Sequence, residues 1–193
     1  AGAGIGGLAA AACLLQEGYD VEVYEQASEL GEIGAGIQTS APAVKVLHHL
    51  GLAKQMSDVS VKPQAFEFKL FDTGEVLHKV PLANTHEESH GAPYYHIHRS
   101  DIHKILADRV LELNPKSVFL NAQAIGFEET DDKVYLNLAD GRKIEGDILI
   151  GADGIKSAIR DQIVGVTPPD FTGQVAWRAT VSVDKLPKDF MGK

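Results

Sequence analysis

A single cysteine, Cys13, stands in the 193 residues, so no internal disulfide can form and a reducing, cytoplasmic setting is expected. No apolar run approaches the roughly 20 residues that span a bilayer. No basic, apolar, small-residue leader of the secretory type opens the chain. Neither a membrane span nor stable membrane association is therefore expected. Basic residues are also scarce: 18 Lys and Arg face 27 Asp and Glu, a net charge of −9. Non-specific nucleic-acid binding rests on clustered Lys and Arg, so nucleic acid is not an expected partner. An anionic ligand must instead be held locally, by backbone amides or by a few placed arginines. What is present is ordinary globular composition, 44% hydrophobic and 23% charged, which argues against disorder or a bare coiled coil. The length suits one domain, or one and a piece, and a core large enough to need no disulfide or metal staple.

The element order reads as mixed α/β. Residues 9–16 are an Ala/Leu-rich helix that Gly18 terminates, and 20–25 alternate as a strand. Residues 27–40 read as a glycine-rich loop, and Pro42 starts a helix that runs to Gly51. Residues 66–70 and 76–80 form a hairpin about Asp72-Thr73-Gly74, and 94–98 a short strand. Ile102, Ile105, Leu106, Val110 and Leu113 make the apolar stripe of a helix over 101–113. Strands follow at 117–120, 125–128 and 134–138. Ile148-Leu149-Ile150 reads as a buried parallel strand, 155–163 as a helix and 174–183 as a last strand. The sequence opens inside a glycine turn, so it reads as the N-terminal piece of a longer chain, with a strand expected before Ala1. The alternative is a small protein with an unusual start.

Gly2, Gly4 and Gly7, spaced G-x-G-x-x-G, open the first helix, and Glu25 ends the next strand. Glycines at this spacing allow a tight turn, close backbone approach to a pyrophosphate and close helix–strand packing. The helix N-terminus offers unpaired N–H groups and partial positive charge to phosphates. Glu25 is placed to accept from ribose hydroxyls. A plain tight turn is the competing reading; the triplet, the Ala-rich helix and the acidic strand end together favour a dinucleotide.

Residues 146–160 (GDILIGADGIKSAIR) form a strand, a sharp Gly-Ala-Asp-Gly turn and a helix. This segment resembles the "DG" fingerprint of the class A flavoprotein monooxygenases, the family of salicylate and 3-hydroxybenzoate hydroxylases. Residues 29–38 (ELGEIGAGIQ) resemble that family's flavin-side loop, 98–103 (HRSDIH) its arginine-bearing helix start, and 171–179 (FTGQVAWRA) the strand entering its substrate domain. The resemblance covers nearly the whole chain. It implies a FAD-binding Rossmann-like fold of the glutathione-reductase type, interrupted by antiparallel strands of a substrate domain at about 64–98. Residues 1–165 would then be the FAD-binding domain and 166–193 the start of a substrate-binding domain.

The same resemblance implies FAD as cofactor, NADH or NADPH as co-substrate, and hydroxylation of a small aromatic acid with O2. It leaves room for a homodimer of the complete protein. Cofactor-contacting positions would be Gly2, Gly4, Gly7, Glu25, Gln26, Gln38, Arg99, Ala124, Asp153 and Gly154. Gln38, Trp177 and Arg178 would lie at the flavin edge or substrate. Arg99 can offer a fork of donors where a lysine offers a point charge; a surface salt bridge with Asp101 is its plainer reading. Asp153 can accept from a sugar or ribityl hydroxyl, or serve only as a turn former. Ala124 would meet adenine through backbone atoms.

Two departures stand out. Thr39-Ser40-Ala41-Pro42 replaces the relatives' Gly-Pro-Asn type turn, and Trp177 stands at or near a position where some relatives carry a histidine base. The catalytic base is unassigned. Other readings are a flavin oxidoreductase without oxygen transfer and a non-catalytic nucleotide-binding fragment. Five of the eight histidines fall between residues 86 and 103. His96 and His98 share one strand face, a spacing that can ligate metal, but no thiolate lies near and solvated or hydrogen-bonded histidines are the expected outcome, with no metal site assigned.

Overall fold

The computed structural model describes residues 1–31, 34–176 and 181–186. Helix α1 (Ile5–Gln16) starts directly at the glycine turn, four residues earlier than the Ala/Leu pattern alone places it. It ends as expected: Gly18 takes φ +86°, its N–H bonds Leu15 O, and the Tyr19 N–H reaches back to Leu14 O. That pair of bonds is the Schellman arrangement, which needs a residue free to adopt the left-handed conformation. Ala11 and Ala12 are small enough for α1 to lie closely on α5 (Arg99–Leu113), whose Ile102, Leu106 and Val110 are buried against it. Helices α2 (Ala41–His49) and α3 (Ala53–Val59) add Val44, Leu47 and Met56 to the same core.

Strand β1 (Val23–Tyr24) pairs in parallel with β6 (Val118–Phe119), and the Tyr24 and Phe119 rings stack at 4.9 Å. Only the end of the expected 20–25 strand is paired, because β6 is two residues long and Asn121 turns the chain away at φ +53°. Strand β2 (Gly36–Thr39), within the stretch read as loop, pairs antiparallel with β5 (Tyr95–His98). Its partner lies more than 50 residues away, and the register brings Ile37 opposite Ile97 and Thr39 opposite Tyr95 on the inner face. Glycine-rich local composition hides a strand stabilised by such distant pairing.

The expected hairpin forms as β3 (Ala65–Lys69) and β4 (Val76–Pro81), an antiparallel ribbon. Helix α4 (Ala83–His90), which the pattern did not announce, links it to β5. Strands β7 (Ala124–Glu129), β8 (Val134–Leu138) and β9 (Lys143–Gly146) form an antiparallel meander. Helix α6 (Ala158–Val164) closes on β7 through Gln162, whose amide donates to Phe127 O at 2.6 Å and accepts from Phe127 N at 2.8 Å. A Cβ on Gly126, at φ +156°, would stand 2.9 Å from the Gln162 Oε1 and would push that amide off its bonds to Phe127.

Three expectations are corrected. Ile148-Leu149-Ile150 is not a buried strand: Ile148 is 82% and Ile150 45% exposed. Its ladder is one residue long, Ala1 N donating to Ile150 O and Ala152 N to Ala1 O, both at 2.8 Å. Helix α6 begins at Ala158 rather than Ile155, because Ser157 caps it by accepting the Arg160 N–H at 2.9 Å. The expected 174–183 strand is absent from its described residues 174–176 and 181–182, and a 3-10 turn occupies Val183–Lys185; residues 177–180 lie outside the described set. Among the described residues, no helix is long and apolar enough to cross a membrane.

Candidate functional site

The glycine turn is locked from three sides. Gly2 sits at φ +96°, where side chains are rarely accommodated, and donates to Tyr24 O at 2.8 Å. A Cβ there would lie 2.4 Å from Ala152 O, and one on Gly7 only 2.0 Å from Gly2 O. The first and third glycines are thus demanded by packing within the chain. Gly4 is different: a Cβ on it meets nothing within 4 Å, and its φ of −70° suits any residue. Among the described residues nothing crowds that position, so it is open to close approach by a ligand.

Gly4 is the N-cap of α1, with no side-chain cap and no acidic residue in the first turn. The first intrahelical bond runs from Leu8 N to Gly4 O, so the N–H groups of Ile5, Gly6 and Gly7 precede the ladder and point outward. Ala3, between the glycines, is held at both ends. Its N–H donates to Glu25 Oε2 at 2.7 Å, and its carbonyl accepts from His103 Nε2 at 2.8 Å. The carbonyl can only accept, so the buried His103 carries its proton on Nε2. Glu25 Oε1 also accepts from Ala27 N at 2.9 Å, which fixes the carboxylate in one orientation. Gly4, Glu25, Leu30 and His103 line a cavity of about 100 Å³ beside the turn.

The "DG" turn packs directly behind this site. Asp153 Cα would stand 3.1 Å from a Cβ on Gly2, and Gly154 follows at φ +83°. The Asp153 carboxylate accepts from the Ser157 hydroxyl and from Ile159 N at 3.2 Å. Burial alone would raise its pKa; the Ser157 hydroxyl and the amides at the start of α6 outweigh that and hold it below the ordinary carboxylate value. The capping role is thus visible. Ala124 enters β7 just after Ala122, whose N–H donates to Glu25 O at 2.8 Å, so this strand start borders the same site. Gln26 is exposed next to Glu25.

A second group lies along α5. Arg99 is the first residue of that helix, its N–H donating to Ala35 O at 3.2 Å. A Cβ on Gly34 would fall 2.8 Å from the Arg99 Cβ, so glycine lets the 34–36 turn lie against the arginine stem. Gln38 faces outward from β2 and accepts the Tyr94 hydroxyl at 3.0 Å. His103 follows Arg99 by four residues, one helical turn, and so connects the two groups. The sequence pattern did not single out His103 as a site residue; its position one turn after Arg99, beside an otherwise apolar stripe, was the available signal. Trp177 and Arg178 lie outside the described residues. His96 and His98 do not act as a pair: His98 Nδ1 lies 2.6 Å from the Ser100 hydroxyl, and the His96 Nε2 has no hydrogen-bond partner.

Unpaired amides at a helix start, an open glycine and a fixed carboxylate complement a pyrophosphate flanked by ribose hydroxyls, as in any dinucleotide. The choice among dinucleotides comes from comparison: residues 1–189 match the family model described as "FAD binding domain". The chain belongs to the FAD-binding domain family. A 3-amino-4-hydroxybenzoate 2-monooxygenase of Streptomyces platensis is 40% identical over 190 residues, covering 98% of this chain and 47% of that protein. A 6-hydroxynicotinate 3-monooxygenase of Pseudomonas fluorescens is 36% identical over 179 residues, 92% of this chain and 46% of that protein. Among solved structures, HpxO of Klebsiella pneumoniae complexed with FAD and uric acid matches at a TM-score of 0.74 and 34% identity, over 87% of this chain and 41% of that one. The FAD-binding domain thus spans about half the length of the curated relatives it matches.

Proposed function

We propose that the protein carrying this FAD-binding domain is a monooxygenase that hydroxylates a small aromatic acid with NAD(P)H and O2. The match of residues 1–189 to a FAD-binding domain supports the reading most directly, and the open Gly4 position beside the α1 amides agrees with it. The relatives' names, which specify aminohydroxybenzoate and hydroxynicotinate as substrates, support the aromatic acid. Bound FAD supplies the two-electron reduction by NAD(P)H and the O2 activation that the ring hydroxylation needs.

The residues of this chain bind and orient. The Ile5, Gly6 and Gly7 amides and the partial positive charge of α1 receive the pyrophosphate, Gly4 permits its approach, and Glu25 accepts from ribose. Gln26, Ala124, Asp153 and Gly154 border the same half of the cofactor. Arg99 and Gln38 serve the flavin half, with Gln38, Trp177 and Arg178 toward the substrate. Residues 1–165 form the cofactor domain, the β3–β4 ribbon within 64–98 belongs with the substrate domain, and 166–193 lead into that domain. A homodimer and a reducing cytoplasmic setting complete the reading, the latter in keeping with the single Cys13.

The test uses the intact protein. It should purify with a flavin spectrum, oxidise NADH or NADPH faster when a hydroxybenzoate or hydroxynicotinate is added, and release a hydroxylated product. Stimulated oxidation without oxygenated product would replace this reading by a flavin oxidoreductase, and absence of flavin binding would leave a non-catalytic nucleotide-binding fold.

A further inference from the structure

Helix α4 brings two imidazoles together that the cofactor site does not use. His86 and His90 stand one turn apart, and their ring centroids are 4.5 Å apart with planes inclined at 58°. A divalent metal roughly 2.0–2.1 Å from one nitrogen of each ring, with a ligand angle between about 90° and 110°, sets the centroids about 4.5–5.2 Å apart. The observed spacing lies at the short end of that range, which packed rings also reach. The helix holds it: Gly91 ends α4 at φ +71°, its N–H bonding Glu87 O at 2.7 Å, so both histidines lie on a closed turn.

A second observation concerns the nitrogen itself. His86 Nε2 is enclosed and, among the described residues, has no hydrogen-bond partner, a costly state for a buried polar atom. The Tyr94 ring presents itself to His86 edge-on at 5.4 Å, and its hydroxyl is spent on Gln38. Glu87, the neighbouring carboxylate, is paired with Lys62 at 2.9 Å. We propose that His86 and His90 form a chelating site for a borderline divalent metal of the zinc, nickel or copper class. Among the described residues, no three His, Cys, Asp or Glu groups gather about one point. His90 lies exposed, so the remaining positions on the ion are open to water from that side.

The experiment takes the intact, tag-free protein and titrates Zn(II) calorimetrically, with Cu(II) electron paramagnetic resonance as a second readout. One ion per chain is expected, with nitrogen couplings from two imidazoles. His90 is exposed, so His90→Ala should fold normally and weaken binding at least about tenfold, since a chelate becomes a single bond. His90→Cys should retain the ion, and His78→Ala, in the β3–β4 ribbon, should leave the affinity unchanged. Equal affinity of His90→Ala and the parent, or an equal loss in His78→Ala, overturns the proposal. The titration reads metal alone, so it stands or fails separately from aromatic hydroxylation.

Discussion

Gly4 and Gly7, three residues apart in one turn, should fail in opposite ways when each is replaced by alanine. At Gly7 the added methyl would sit 2.0 Å from Gly2 O and 3.3 Å from the Ala152 Cβ, so α1 must move away from both turns. Overpacking of this kind costs about 1–3 kcal/mol. For a chain of this size each kcal/mol shifts the melting temperature by about 2–4 °C, so the apoprotein should melt roughly 2–12 °C lower. At Gly4 the methyl meets no atom of the described residues within 4 Å and the backbone angles are ordinary. The Gly4→Ala apoprotein should therefore melt within about 2 °C of the parent, a change of about 0.5 kcal/mol or less. Its loss should appear only with the cofactor, as the methyl holds the pyrophosphate off the helix amides. Hydrogen bonds to charged groups are worth about 1.5–3 kcal/mol, or roughly tenfold to a hundredfold in affinity. Gly4→Val should abolish binding. The assays are thermal melts of both flavin-free variants and FAD titration followed by flavin fluorescence. Gly4→Ala with parental FAD affinity, or with the melting loss of Gly7→Ala, would refute the reasoning.

Glu25→Ala strands the Ala3 and Ala27 amides and removes the ribose acceptor, so FAD affinity should fall about tenfold to a hundredfold; titration of the flavin-free protein with FAD reads it. A purely kinetic defect with full flavin content would count against that role. His103→Phe keeps the buried volume but leaves the Ala3 carbonyl without its donor, and denaturant unfolding should show a loss of about 1–3 kcal/mol. Asp153→Asn tests the capping carboxylate. A carboxyl whose folded pKa lies below its ordinary 3.8 contributes stability that is present above that value and lost as pH falls through the lower folded pKa. The parent should therefore be the more stable protein at pH 7, and the gap should narrow below about pH 4. A gap independent of pH would assign the effect to packing.

The parts of the fold that were legible in the sequence are those with local causes. Gly18 ends α1 by its own left-handed conformation, and Asp72-Thr73-Gly74 turns the hairpin within a few residues. The glycine spacing and Glu25 were readable because turn geometry and strand end are set within 25 residues. What escaped has distant causes. Strand β2 exists because Ile97 and Tyr95 arrive beside it from far along the chain, and His103 matters because its helix delivers it to Ala3, 100 residues earlier. Within the site, glycine identity predicted the turn, but only the coordinates separate Gly2 and Gly7, fixed by packing, from Gly4.

Helix α5 works as a ruler. Arg99 marks its first residue and His103 a point about 6 Å along its axis, since each residue advances 1.5 Å. One end meets the 34–36 turn and the next turn grips Ala3, so the two halves of the site share a single rigid spacer. The spacer is itself clamped by Leu106 and Val110, packed among Leu8, Ala11 and Ala12 of α1. A side chain that tilts α5, such as a bulkier residue at Ala107, displaces both marks by correlated amounts even though it touches neither. The spacing between Arg99 and His103 relative to the glycine turn is thereby written into the packing of α5 on α1, whose centre lies in the core.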